Sequence, residues 1–198
     1  MQKEDLGYSF AIGLVVGLFL LPILINNDQY SKLSAPQLFM SLFVGLPVIF
    51  TIGLAVAGFI SKKIPLLWQF AKFALVGVLN TAIDFGILNL LMFVTKIESG
   101  LGIIPLNTIS FSTAVINSFF WNKKWVFKKE KGVNFITFFT VTLIGLVINN
   151  LIVYLITTYV PPVFDINGKL WANLAKALAT GVAMIWNFTG YRLIVFKK

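Results

Sequence analysis

The chain has 198 residues, 58% of them hydrophobic and only 12% charged, with a mean hydropathy of +0.89. A soluble domain of this size cannot hide so much apolar surface, so lipid is its natural solvent. It has no cysteine and no histidine, which excludes disulfides and thiolate chemistry and removes the commonest general base and metal ligand.

Six apolar stretches, near 8–26, 36–60, 68–94, 101–121, 133–159 and 170–194, are each about twenty residues or longer, the length a bilayer-crossing helix needs. They are predicted as helices because unpaired backbone groups are costly in hydrocarbon. The first stretch shows no small-x-small cleavage site and is read as a span, not a cleaved signal. Neither of the first two spans is expected to carry a buried ionisable residue. Gly13 and Gly17 sit four apart, a spacing that lets helices approach closely, and Pro47 should kink the second helix. Ser61 to Leu67, with Lys62, Lys63 and Pro65, reads as a joint. Residues 1–66 are therefore expected to form an accessory hairpin and 67–198 the working unit.

Charge alternates between successive connections. Lys3, Lys62, Lys63, the cluster Lys123, Lys124, Lys128, Lys129 and Lys131, and the tail Lys197 and Lys198 fall on one side; Lys32, Lys96 and Lys169 with Asp28, Glu98 and Asp165 fall on the other. The lysine-rich side is expected to be cytoplasmic, which puts both termini inside. The net charge of +9 is thus topological: the lysines flank spans and form no separate basic domain, which argues against a nucleic-acid partner. Trp68, Trp121, Trp125 and Trp171 lie near span ends, where indoles tend to sit at the interface.

The end of the chain echoes a segment 69 positions upstream: Val126-Phe127-Lys128-Lys129 returns as Val195-Phe196-Lys197-Lys198, and under the same offset Phe70 meets Phe139, Asn80 meets Asn149, Phe119 meets Phe188 and Lys123 meets Arg192. Two repeats, about 70–129 and 139–198, would each hold two spans and a basic aromatic tail, a common way to build a carrier. Asp84 falls near the middle of the third span, where a carboxylate costs at least ~2.5–3.5 kcal/mol unless it finds a partner or water. It is either an interhelical tie, most plausibly to Lys176, or a group lining a polar passage. Lys72, Lys123 and Arg192 lie near the cytoplasmic ends of their spans; they either snorkel or together hold a phosphate at headgroup level, Arg192 bidentately. Asn80, Asn149 and Asn187 are read either as interhelical hydrogen bonds or as a polar seam able to solvate a sugar ring.

Three motifs carry a resemblance. The third span runs Phe70, Lys72, Val76, Gly77, Asn80, Asp84; the fourth closes Asn122, Lys123, Lys124, Trp125, Val126, Phe127; the chain closes Asn187, Gly190, Tyr191, Arg192, Val195, Phe196. In this order, over about residues 68–198, the chain resembles the GtrA family of small bacterial membrane proteins, with lysine at Lys123 where the family usually has arginine. The resemblance implies an all-α membrane protein with a four-helix core of two parallel two-helix repeats, here preceded by an extra hairpin. It implies movement of a polyprenyl-phosphate-linked sugar across the cytoplasmic membrane for envelope polysaccharide, or recruitment of a glycosyltransferase by a scaffold that transports nothing. In the transport reading Lys72, Lys123 and Arg192 receive the phosphate, Asp84, Asn80, Asn149 and Asn187 line the sugar's passage, and Lys176 draws the phosphate outward. Catalytic residues, cofactor and metal are not expected, and a four-helix core is small enough to make a homodimer plausible.

Overall fold

The computed structural model describes residues 3–25, 34–62, 64–96, 103–128, 134–161 and 168–196. Every regular element among them is helical: α1 (Lys3–Ile25), α2 (Ala35–Met40), α3 (Leu46–Ile60), α4 (Pro65–Thr95), α5 (Ile103–Trp121), α6 (Phe135–Tyr159) and α7 (Gly168–Gly190). Three π turns join or extend them, at Ser41–Gly45, Asn122–Val126 and Tyr191–Val195. Glu4–Leu24, Ala35–Ile60 and Pro65–Thr95 are long and apolar enough to cross a membrane, and Phe135–Ile148 is a shorter apolar stretch. The chain is an all-α membrane protein, as its composition requires.

Local chemistry explains the breaks. Pro47 has no N–H to donate, and the wide turn at Ser41–Gly45 just before it absorbs the irregularity, with the Leu46 N–H reaching Ser41 O. α2, the wide turn and α3 together make up the apolar stretch Ala35–Ile60. At the start of α4, Pro65 occupies the first turn, where a missing N–H costs nothing. α4 ends at Lys96, whose left-handed φ of 59° closes the helix.

Two compact units are present, Met1–Lys128 and Lys129–Lys198. In the first, α1 packs against both α3 and α4. Its Gly13 lies on the backbone of Pro47 and its Gly17 on Leu42 O, so that a Cβ at either glycine would overlap the neighbouring main chain. The two glycines are the close-contact pair read from their spacing. On its other side α1 meets α4, where Gly86 leaves room for the Phe19 carbonyl. Ile12, Val16, Val76, Leu79 and Ile83 are buried around these contacts. Between helices in lipid, such packing and the few hydrogen bonds hold the unit, since burial against lipid tails gives no hydrophobic gain. α1 is packed into the same unit as α4 and α5. In the second unit Phe138 is fully buried and stacks on Tyr191 at 4.4 Å between ring centroids.

Candidate functional site

α5 runs as a regular helix to Trp121 and then opens into the π turn Asn122–Val126, closed by the Phe127 N–H on Asn122 O at 2.9 Å. Among the described residues the helix does not continue past Val126 to serve the last carbonyls of that turn. α4 supplies the donors instead. Lys72 Nζ donates to Trp125 O at 3.0 Å, and Gln69 Nε2 donates to Val126 O at 3.3 Å. Lys72 is only 4% exposed, with the Trp68 and Trp125 rings 5.5 and 5.7 Å from its ammonium. The lysine expected at headgroup level therefore points inward and caps a helix end. Lys123 is half-buried beside the Phe119 ring, and Lys124 is exposed beside Phe120.

The second unit repeats this ending. The turn Tyr191–Val195 is closed by the Phe196 N–H on Tyr191 O at 2.7 Å. Lys123 and Arg192 occupy the same place, the second residue, in two π turns whose first residues, Asn122 and Tyr191, are 69 positions apart. Arg192 is exposed. π turns of this kind recur at functional sites because they re-aim the side chains they carry.

Asp84 lies twelve residues beyond Lys72 on α4, ~18 Å along the helix axis at the usual rise. Ser110 of α5, fully buried, donates its hydroxyl to Asp84 Oδ1 at 2.8 Å. One turn nearer the basic end, Asn117 Nδ2 donates to Asn80 Oδ1 at 2.7 Å. Asp84 and Asn80 thus form a polar seam between α4 and α5. Ser110 did not stand out in the sequence, although it lies seven residues, two helical turns, before Asn117 and so shares its face. The carboxylate is not duplicated, because the 69-residue offset puts Val153 opposite Asp84 and Ala179 opposite Ser110.

In the second unit, Asn187 is half-buried on α7 against Gly145, where a Cβ would overlap its Oδ1. That amide oxygen has no hydrogen-bond partner among the described residues. Thr142 Oγ1 donates to Phe138 O at 2.9 Å, which leaves Tyr191 Oη to donate to Thr142 Oγ1 at 2.6 Å. Trp186 Nε1 donates to Val141 O at 3.1 Å. The side chains of Asn149 and Lys176 lie outside the described residues, as does the expected Asp84–Lys176 tie. Lys72, Lys123, Asn80 and Asp84 belong to the first unit, and Asn187 and Arg192 to the second. Among the described residues no group of histidine, cysteine, aspartate and glutamate is placed to hold a metal ion.

Two comparisons with known proteins match. The family profile described as GtrA/DPMS, transmembrane domain, covers residues 72–196. The chain is also 30% identical over 128 residues to the uncharacterized membrane protein YngA of Bacillus subtilis (strain 168), an alignment that takes in 63% of this chain and 77% of that protein. No solved structure matches.

Proposed function

The chain belongs to the GtrA/DPMS transmembrane-domain family, and on that premise we propose that it moves a polyprenyl-phosphate-linked sugar across the cytoplasmic membrane for envelope polysaccharide. The headgroup of such a lipid cannot cross hydrocarbon unaided, while its tail is at home there. A protein need only offer charge for the phosphate and polar groups for the sugar.

The observation that carries this reading is the recurrence of a cation, Lys123 and Arg192, at the same position of the π turn that closes each repeat. A phosphate accepts charge-assisted hydrogen bonds from both types of side chain, and arginine can engage it bidentately. Lys72 would add its charge from behind the first turn. Asp84 and Asn80 offer the sugar acceptors and donors deeper along α4, and Asn187 offers an amide oxygen that has no donor among the described residues. Asn149 and Lys176 complete the proposed route, the latter toward the outer face. Both termini lie in the cytoplasm in this orientation. The protein makes and breaks no bond, and the drive comes from the lipid gradient, the membrane potential or protons.

The test is transport by variants. Arg192→Ala and Asp84→Ala are each expected to slow entry of the lipid-linked sugar into sealed vesicles about tenfold or more, the factor set by one lost hydrogen bond to a charged group. Wild-type rates in both variants, at equal protein in the membrane, would remove the site assignment.

A scaffold that recruits a glycosyltransferase is the second reading. It is favoured by Lys72 and Asn80, whose polar atoms engage Trp125 O and Asn117 inside the fold, as helix-to-helix ties do.

A further inference from the structure

α1 precedes the family-matched stretch, yet it delivers a buried carboxylate to the first basic turn. Asp5 is 3% exposed, and its Oδ1 accepts from Trp125 Nε1 at 2.9 Å. Lys72 holds the main-chain oxygen of the same tryptophan. Trp125 is therefore gripped at both ends, its indole by α1 and its carbonyl by α4. Tyr8, three residues after Asp5, sets its ring edge-on against Trp121 and Trp125 at 5.6 and 5.7 Å. A buried carboxylate is costly unless it is hydrogen-bonded and balanced. The indole N–H supplies the bond, and the Lys72 ammonium, on which Asp5 acts electrostatically, contributes opposite charge.

We propose that Asp5 is a positioning residue for the basic turn: through Trp125, α1 sets the direction in which Lys123 and Lys124 leave α5. The amino-terminal helix is then a built-in partner of the first repeat. The second turn is held differently. The offset of 69 places Ile194, 58% exposed, opposite Trp125, and Val141 opposite Lys72, while Tyr191 at the start of that turn is fixed by Phe138 and Thr142. The two repeats thus present their cations from unlike supports, one clamped from outside the repeat and one from within it. This holds whether the turn meets a phosphate or a protein.

The chain has no cysteine, so a single one can report. In full-length protein carrying Lys124→Cys, in membrane vesicles opened to both faces, the rate of labelling by a water-soluble maleimide measures access to the turn. Asp5→Ala and Trp125→Phe are each expected to raise that rate about tenfold, as for loss of one hydrogen bond to a charged group. The double variant should be no faster than the faster single one, because both remove the same contact. Asp5→Asn keeps an acceptor for the indole and should stay near the parent rate. A second reporter, Thr95→Cys at the far end of α4, should not change in any of these backgrounds. An unchanged rate in Trp125→Phe, effects that multiply in the double variant, or a rise at Thr95→Cys in step with Lys124→Cys would each overturn the proposal. Should Asp5→Ala fail to fold, Trp125→Phe, which keeps an aromatic ring but replaces the indole by a smaller phenyl without the N–H, is read against Asp5→Asn, which keeps the acceptor and the indole: a rise in the first with none in the second supports the proposal, and an unchanged Trp125→Phe overturns it.

Discussion

Lys72→Met is expected to be among the most destabilising single substitutions in the first unit. Methionine is one heavy atom shorter than lysine and should fit the apolar surroundings, so packing is largely kept and the charge chemistry is isolated. The change leaves Trp125 O without the donor it now has at 3.0 Å, and it leaves Asp5 buried with less opposing charge. Loss of a buried hydrogen bond from a charged donor, which leaves its acceptor unsatisfied, costs about 1.5–3 kcal/mol. Lys72→Arg keeps the charge and a donor and should lose less than half of that. Equilibrium unfolding in mixed micelles checks both. A Lys72→Met midpoint equal to that of the parent would mean that the ammonium is not what holds the end of α5.

Gly86→Leu is expected to part α1 from α4. Any Cβ at this position would run into the Phe19 carbonyl oxygen and lie 2.8 Å from the Phe19 Cβ, and main chain cannot swing aside as a side chain can. Overpacking of a tight contact costs typically about 1–3 kcal/mol and more when backbone must move, so about 3 kcal/mol is expected here. The same helix offers its own control. A Cβ at Gly77 would have no neighbour within 4 Å, so Gly77→Ala should be neutral or slightly stabilising, by up to about 1 kcal/mol through helix propensity. Engineered-disulfide formation between α1 and α4, compared with thermal stability in the same membranes, measures the separation. Equal behaviour of the two glycine variants would deny that the α1–α4 contact depends on backbone approach.

Much of the helical architecture was legible because a membrane span is written in one dimension. The stretch expected at 36–60 is Ala35–Ile60, and the one expected at 68–94 is Pro65–Thr95. Gly13 and Gly17 were visible as a spacing, and Pro47 as a missing donor. What resisted reading was direction. Lys72 has the pattern of a snorkelling lysine, but the carbonyls left over by a π turn pull it inward, and nothing in residue order distinguishes a helix that ends regularly from one that opens at Asn122. Trp125 has the pattern of an interfacial indole, yet it is 2% exposed. Asp5 lies before the first span, and the Trp125 indole it holds is 120 residues away in the sequence. Residue order did not show which helix lies alongside α4 at Asn80, where α5 brings Asn117 to it. The same echo did mark the two closing turns, because Val126-Phe127 and Val195-Phe196 recur where the chain makes the same i→i+5 bond.

The most direct measurement of the transport reading uses the purified chain alone, reconstituted into sealed liposomes with a polyprenyl-phosphate-linked sugar on one leaflet. An external glycosidase reports how much of the lipid has crossed. A translocase makes the glycosidase-protected fraction change within minutes, sensitive to Arg192→Ala, with no other protein added. A protected fraction that stays at the protein-free level, and changes only when a glycosyltransferase partner is supplied, would contradict transport by this chain and leave it a scaffold.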